Sequence, residues 1–468
     1  MIATSIPARL DRLPWSRFHL LLLGALGITW ILDGLEVTIV GAFGGVLQDV
    51  RTLHLSAGEV GAVGSFYVTG AVLGALLFGW AADRFGRRKI FYATLGVYLA
   101  GVALSACSWN FASFALFRLL TGLGIGGEYA AINSAIDEMM PARLRGRLDL
   151  AINATYWLGA ALGAASTLLL LDPAIFPINT GWRLGFGIGA VLGTIILFLR
   201  RFVPESPRWL ITHGQEDAAE AAMAEIERRV GGQLPPATGT LKINPRKVYG
   251  LGLIARVMLG KYRARAGLVT VLMAAQAFLY NALFFTYALV LTRFYHVAPA
   301  RAGIFLLPLA VGNFLGPVLL GRLFDTIGRR KMIAATYGIA GLLLAATGYL
   351  FATGALDATT QTLAWAAIFF FASAAASAAY LTASEVFPME MRAIAIAIFY
   401  ALGTAIGGIA APAVFGALIG TGSRWTIFGG YAFAAALMLF AAAMAARYGV
   451  DAEGKGLEDI AAPLSADA

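Results

Sequence analysis

Charged side chains are scarce: 13% of 468 residues, against 59% hydrophobic. A soluble domain carries about 25% charged residues and about 45–50% apolar ones. A water-soluble globule has no room to hide this much apolar surface. Cysteine is nearly absent. The single Cys107 excludes a disulfide within one chain and any multi-cysteine metal site, and its place in an apolar run makes it a core residue. Histidine is rare too. His19, His54, His213 and His296 all fall at the ends of apolar runs or between them. No Walker motif is present, so ATP does not drive the protein. No nucleophile, metal cluster or histidine constellation is visible inside the apolar runs. An enzyme is therefore not expected, and neither is a cofactor or a metal.

Long apolar runs are what the chain has instead. Twelve candidate helices lie at 18–47, 58–82, 90–108, 111–137, 148–171, 182–203, 264–294, 301–322, 332–352, 360–386, 393–419 and 424–447. Runs of about 20 apolar residues span a bilayer, and these exceed that, so tilt is expected. Polarity does not alternate along them, which excludes an outer-membrane barrel. The expected class is an all-α integral membrane protein.

The net charge of +9 does not point to nucleic acid. Loops 83–89, 138–147, 322–331 and 387–392 hold Arg84, Arg87, Arg88, Lys89, Arg143, Arg145, Arg147, Arg322, Arg329, Arg330, Lys331 and Arg392. The alternating loops 48–57, 109–110, 172–181, 295–300 and 353–359 hold only Arg51. The positive-inside rule makes the first set cytoplasmic and places both termini inside a plasma or bacterial inner membrane. Arg9, Arg12 and Arg17 precede the first run without a small-residue cleavage pattern, so that run reads as a retained helix.

One unit is used twice. GWAADRFGRRK at Gly79–Lys89 returns as GRLFDTIGRRK at Gly321–Lys331, with Asp83 and Asp325 242 residues apart (325 − 83). Glu138-Met-Met-Pro141-Ala-Arg143-Leu-Arg145 returns as Glu385-Val-Phe-Pro388-Met-Glu390-Met-Arg392, 247 apart (385 − 138). Two echoes in the same order imply two pseudo-symmetric six-helix halves. The expected divisions are 1–203, a polar cytoplasmic linker with one or two surface helices at 204–262, 263–447, and a disordered cytoplasmic tail at 448–468.

These motifs resemble the major facilitator superfamily. Pro204-Glu-Ser-Pro-Arg-Trp-Leu210 is similar to a signature of sugar porters and organic-ion transporters. Asp33-Gly34-Leu35-Glu36 resembles the DGxD of aromatic-acid:proton symporters, and Arg118-x3-Gly122-x-Gly124-x-Gly126-Gly127-Glu128 resembles the fourth helix of several such families. The resemblance implies secondary transport by alternating access, with the solute near the midplane.

Intramembrane charges mark function by default. Asp33 and Glu36 sit on the first helix and, with Arg118, are the proton-coupling candidates. Arg118 lies about seven residues into the fourth, roughly 10 Å from its outer end at 1.5 Å per residue. Glu36 and Arg118 both fall in the outer half and are expected to pair. Withdrawing Arg118 would raise the carboxyl's proton affinity, which makes a proton switch. The resemblance also implies proton coupling for this acid and arginine. Permanent packing of the two helices is the plain alternative. Glu128, ten residues deeper, is open between solute binding, proton relay and a simple hydrogen bond.

Amide side chains both donate and accept, as hydroxyl-rich solutes require. Gln276, Asn281 and Asn313 match places where sugar porters bind sugar. Ala160, Ala275 and Tyr380 depart from that pattern. Asn153, Tyr156, Tyr280, Phe285 and Tyr380 complete the candidate solute set. The loop motifs are expected to form a cytoplasmic gate of Asp83, Arg87, Arg88, Glu138, Arg145, Glu205, Asp325, Arg329, Arg330, Glu385 and Arg392. In it each Asp meets a helix N-terminus or an opposing Arg, Glu138 pairs with Arg145 or Arg147, and Glu385 pairs with Arg392. The expected function is proton-coupled symport of a sugar, polyol or organic acid by a monomer in the lipid bilayer. A proton-driven exporter and a transporter-like nutrient sensor are the alternatives.

Overall fold

The computed structural model describes residues 2–464 apart from 48, 56, 173, 200–203, 233, 238, 244–250, 285, 286, 298 and 409. Apolar runs flanked by basic turns become helices because only a helix satisfies its own backbone in hydrocarbon. The first half contains α2 (Arg17–Leu47), α3 (Ala57–Phe85), α4 (Arg87–Ala106), α5 (Phe111–Met139), α6 (Arg145–Leu170) and α7 (Ile178–Leu199). The second contains α11 (Arg263–Phe284) with α12 (Tyr287–Tyr295), then α13 (Pro299–Thr326), α14 (Arg329–Ala352) and α15 (Ala358–Glu385). It closes with α16 (Arg392–Gly403), α17 (Ala410–Gly420) and α18 (Arg424–Tyr448). Among the described residues, nine helical segments are long and apolar enough to cross a membrane. Each expected span has its helix. The eleventh is interrupted by a π-helical turn at Thr404–Gly408.

The halves pack by the same plan. Within them α3 lies on α5 and α13 on α15. Between them α3 meets α16 and α6 meets α13. The α3–α5 seam is close because Gly122 and Gly126 rest on the Tyr67 and Ala71 carbonyls, where any Cβ would overlap.

Four expectations are corrected. The GRRK segments are not loops. Each helix runs through its Asp, breaks at Gly86 in the first copy and over Ile327–Gly328 in the second, and the next helix starts at once. Gly86 (φ 98°) and Gly328 (φ 117°) adopt the backbone that makes this turn possible. The tail is not disordered up to residue 464. It forms α19 (Leu457–Ile460) and buries Ala452, Leu457, Ile460 and Ala461. Leu457 and Ile460 share one side of a turn, which gives the tail an apolar face to dock. Cys107 is exposed, not core, because it follows the last residue of α4. The linker contributes α8 (Pro207–Thr212), α9 (Glu216–Val230) and α10 (Leu251–Leu259), one helix more than expected.

Residues before α2 also fold onto the linker. A two-stranded antiparallel ribbon pairs β1 (Ile2–Thr4) with β2 (Leu241–Ile243). In α1 (Ile6–Asp11) Arg9 binds Glu220 and Glu227 at 2.5 and 2.6 Å, and the adjoining Arg12 binds Glu227 at 2.5 Å. The repeat has a third echo. Arg183 donates to the Ala106 carbonyl at the end of α4, and Arg424 donates to the Phe351 carbonyl near the end of α14. The two arginines are 241 residues apart (424 − 183).

Candidate transport site and gate

At the end of the bundle carrying the GRRK turns, each half grips the other with the same parts. Asp83 accepts the Ala393 and Ile394 backbone N–H groups at 3.3 and 2.9 Å, at the N-terminus of α16. Asp325 accepts those of Gly146 and Arg147 at 3.2 and 2.9 Å, at the N-terminus of α6. Carboxylates belong there because the first N–H groups of a helix lack partners and carry partial positive charge. Arg87 and Arg329 hold these carboxylates from one turn on, at 2.9 and 2.7 Å.

The glutamate pairing expected within each half is crossed instead. Glu138 binds Arg87 of its own half at 2.8 Å and Arg392 of the other at 3.5 Å. Glu385 binds Arg329 of its own half at 3.0 Å and Arg145 of the other at 3.3 Å. The glutamates end α5 and α15 at the interface, where the opposite half's helix start is within reach. Arg88 and Arg330 are not part of this grip. Both face outward, and Arg330 bonds the Ala446 carbonyl of its own half.

Glu205 accepts the Arg87 backbone N–H at 3.0 Å and caps α4. Burial pushes its carboxyl above the ordinary range. Its counterpart was missed by sequence reasoning: Glu453 of the tail caps α14 through the Arg329 N–H at 3.1 Å. Also missed were the buried Arg208, which binds Asp11 and Glu458 at 3.1 and 2.9 Å, and Trp209, whose indole N–H reaches the Asp83 carbonyl at 3.0 Å. Glu453, followed by an apolar residue four positions on, was the available signal.

Far from this latch, Glu36 of α2 and Arg118 of α5 are in direct contact, 3% and 0% exposed. Arg118 also donates to Ser105 at 3.1 Å and Thr121 at 2.8 Å, and lies over the Phe186 ring at 4.7 Å. The second Glu36 oxygen has no hydrogen-bond partner among the described residues. Asp33 stands apart from this pair. It accepts the Tyr129 and Tyr67 hydroxyls at 2.6 and 3.2 Å. Asp33, Glu128, Thr29, Trp30 and Tyr129 border one cavity of about 10 Å³, the size of a single water.

The solute candidates fall along the seam between the halves. Tyr129 stacks on Tyr400 with centroids 5.0 Å apart and on Tyr380 at 6.2 Å. Trp157 stacks on Tyr280 at 5.7 Å, and Tyr156 meets Trp157 edge-on. Asn313 is buried, accepts the Tyr280 hydroxyl at 2.5 Å and donates to its own helix at Leu309. Asn281 donates to the Ala277 carbonyl, and Asn153 to Asp149, each one turn back. Gln276 is half-buried on α11. Phe285 lies outside the described residues. Tyr129, Trp157 and Tyr400 were not foreseen, although the first two adjoin residues that were.

Two repeated six-helix halves, clasped at one end and carrying a buried acid–arginine pair, define a major facilitator transporter. The chain belongs to the sugar (and other) transporter family, which it matches over residues 34–462. It is 28% identical to the niacin transporter NiaP of Acinetobacter baylyi over 409 residues, covering 87% of this chain and 89% of that protein. It is 26% identical to the arabinose-proton symporter of Bacillus subtilis, covering 81% and 82%. The solved proton:xylose symporter XylE bound to 6-bromo-6-deoxy-D-glucose aligns with a TM-score of 0.77 at 18% identity, covering 95% and 98%. These relatives are transporters, not enzymes. The protein is a multi-pass membrane transporter of sugars or other metabolites.

Proposed function

We propose that the protein is a proton-coupled symporter of a small organic solute, working by alternating access. The observation that carries this reading is the Glu36–Arg118 pair, closed off from solvent far from the latch. A buried carboxylate stays ionised while a cation faces it and gains proton affinity when the cation leaves. One Glu36 oxygen has no hydrogen-bond partner among the described residues. Protonation frees Arg118, α2 and α5 shift, and the halves close around the solute. The latch then opens and releases solute and proton on its own side.

The basic latch end is the cytoplasmic side, so both termini lie inside. The halves are 1–203 and 263–447, bridged by the linker 204–262 and the tail 448–468, and the unit is a monomer. The solute sits between Glu128, Asn153 and Tyr156 on one side and Gln276, Tyr280, Asn281, Asn313 and Tyr380 on the other. Relatives named for niacin, arabinose and xylose bracket its size.

The test uses proteoliposomes. Glu36→Gln is expected to abolish solute-driven proton uptake while solute counterflow persists. Proton uptake at the unmodified rate would reject the role of Glu36.

A further inference from the structure

Asp33 is the acid that this proton switch leaves unused. It is 1% exposed, and among the described residues it forms no ion pair with Lys, Arg or His. Its partners are two tyrosine hydroxyls. A carboxylate held at membrane depth calls for a counter-charge or a proton. Its surroundings are rings contributed by both halves. Tyr129 of α5, one of its two donors, faces Tyr400 of α16 at an interplanar angle of 20°. Trp30 meets Tyr129 edge-on at 4.3 Å. The Trp30 indole N–H has no hydrogen-bond partner among the described residues and belongs to a side chain bordering the same cavity as Asp33. A buried donor without an acceptor marks a place where one is supplied from outside.

We propose that the solute is a flat, nitrogen-bearing aromatic ring with a positive charge and one acceptor oxygen. This rests on the transport reading above and narrows it. The ring enters between Tyr129 and Tyr400, replacing their mutual stack with two of its own. Offset stacks of this kind are favourable at centroid distances of about 4.5–7 Å. The positive charge faces the Asp33 carboxylate and the tyrosine π faces, an arrangement that selects cations. The acceptor oxygen takes the Trp30 N–H. Glu128, on the same cavity, adds to the negative side of the site, while Glu36 is engaged by Arg118. A sugar is served less well. Asn281 and Asn313 each already give one amide hydrogen to their own helix, and the walls beside Asp33 are the Trp30, Tyr129 and Tyr400 rings.

Calorimetry on the purified protein tests this with five probes. These are 1-methylnicotinamide (a fixed cation), 1-methylpyridinium (a fixed cation without an acceptor oxygen), nicotinamide (the neutral ring), nicotinate (an anion) and D-xylose. The cation is expected to bind about tenfold more tightly than nicotinamide, the ratio that one extra charge contact of 1.4 kcal/mol produces. Asp33→Asn should abolish that ratio and leave nicotinamide binding within about twofold. Trp30→Phe, which keeps an aromatic ring, should weaken nicotinamide but not 1-methylpyridinium, which has no acceptor oxygen. Glu36→Gln should keep the order of the probes although coupling is lost, so the two readings fail separately. Tightest binding of xylose or nicotinate, no binding of the cation, or an unchanged ratio in Asp33→Asn would each overturn the assignment.

Discussion

Arg118 serves four groups at once: Glu36, Ser105, Thr121 and the Phe186 ring. Its charge is thereby tolerated in a dry site, and the site depends on it. Removing one partner of a buried pair leaves the other uncompensated, at about 3–5 kcal/mol, whereas neutralising both costs far less. Arg118→Ala should therefore lower the thermal midpoint more than the double variant Glu36→Gln/Arg118→Gln, measured in the same detergent. Equal losses would mean that the two residues contribute independently. Asp33 and Glu36 look equivalent in the sequence, three positions apart. The structure separates them because Arg118 reaches only one, and tyrosines from α3 and α5 occupy the other.

At the scale of elements, the turn between α3 and α4 concentrates several constraints. Gly86 holds φ 98° and ψ 151°, a backbone reserved for glycine, and a Cβ there would strike the Glu205 carboxylate. Gly86→Ala should cost about 1–3 kcal/mol, read as a lower thermal midpoint, and Gly328→Ala should behave alike. A second element-scale device is the clamp of α1 on α9. Arg9 and Arg12 hold Glu227 below its ordinary pKa of 4.5, first through the hydrogen bond from Arg9. A depressed acid stabilises the docked state above its ordinary pKa and loses that contribution as pH falls through the lowered value. Protease cleavage near residues 2–12 should therefore rise only below about pH 4.5. An equal rise at neutral pH would show that the pair does not hold the segment.

For the whole molecule, the latch is a set of crossed contacts between the halves, which the proposed alternating access requires to break together. Asp83, Asp325, Glu138 and Glu385 each touch the opposite half, and Glu453 and Glu458 bring the tail into the same network. Single exposed pairs contribute only about 0–1 kcal/mol. These pairs are buried and coupled, which suits a two-state gate. In a Cys107→Ser background, Asn153→Cys should react slowly with an impermeant thiol reagent from the latch side. Adding Glu385→Gln should raise that rate about fivefold or more, the usual scale of a coupling free energy. An unchanged rate would show that the pair does not hold the gate shut.

The halves, the spans and the latch motifs were legible in the sequence because hydrocarbon imposes long apolar helices and because the unit is repeated. Glu36 and Arg118 stood out for the same reason: a charge in an apolar run is costly wherever it is found. The crossed partners of Glu138 and Glu385 were not legible, since each acid has arginines near it in sequence and only the docking of the halves decides which it meets. The ordered tail was hidden by its polar composition, which gives no hint that Arg208 and the end of α14 need acids. The ring belt was hidden as well. Tyr129, Trp157 and Tyr400 are ordinary membrane aromatics one by one, and form stacks only where α5, α6, α11 and α16 bring them face to face with their partners.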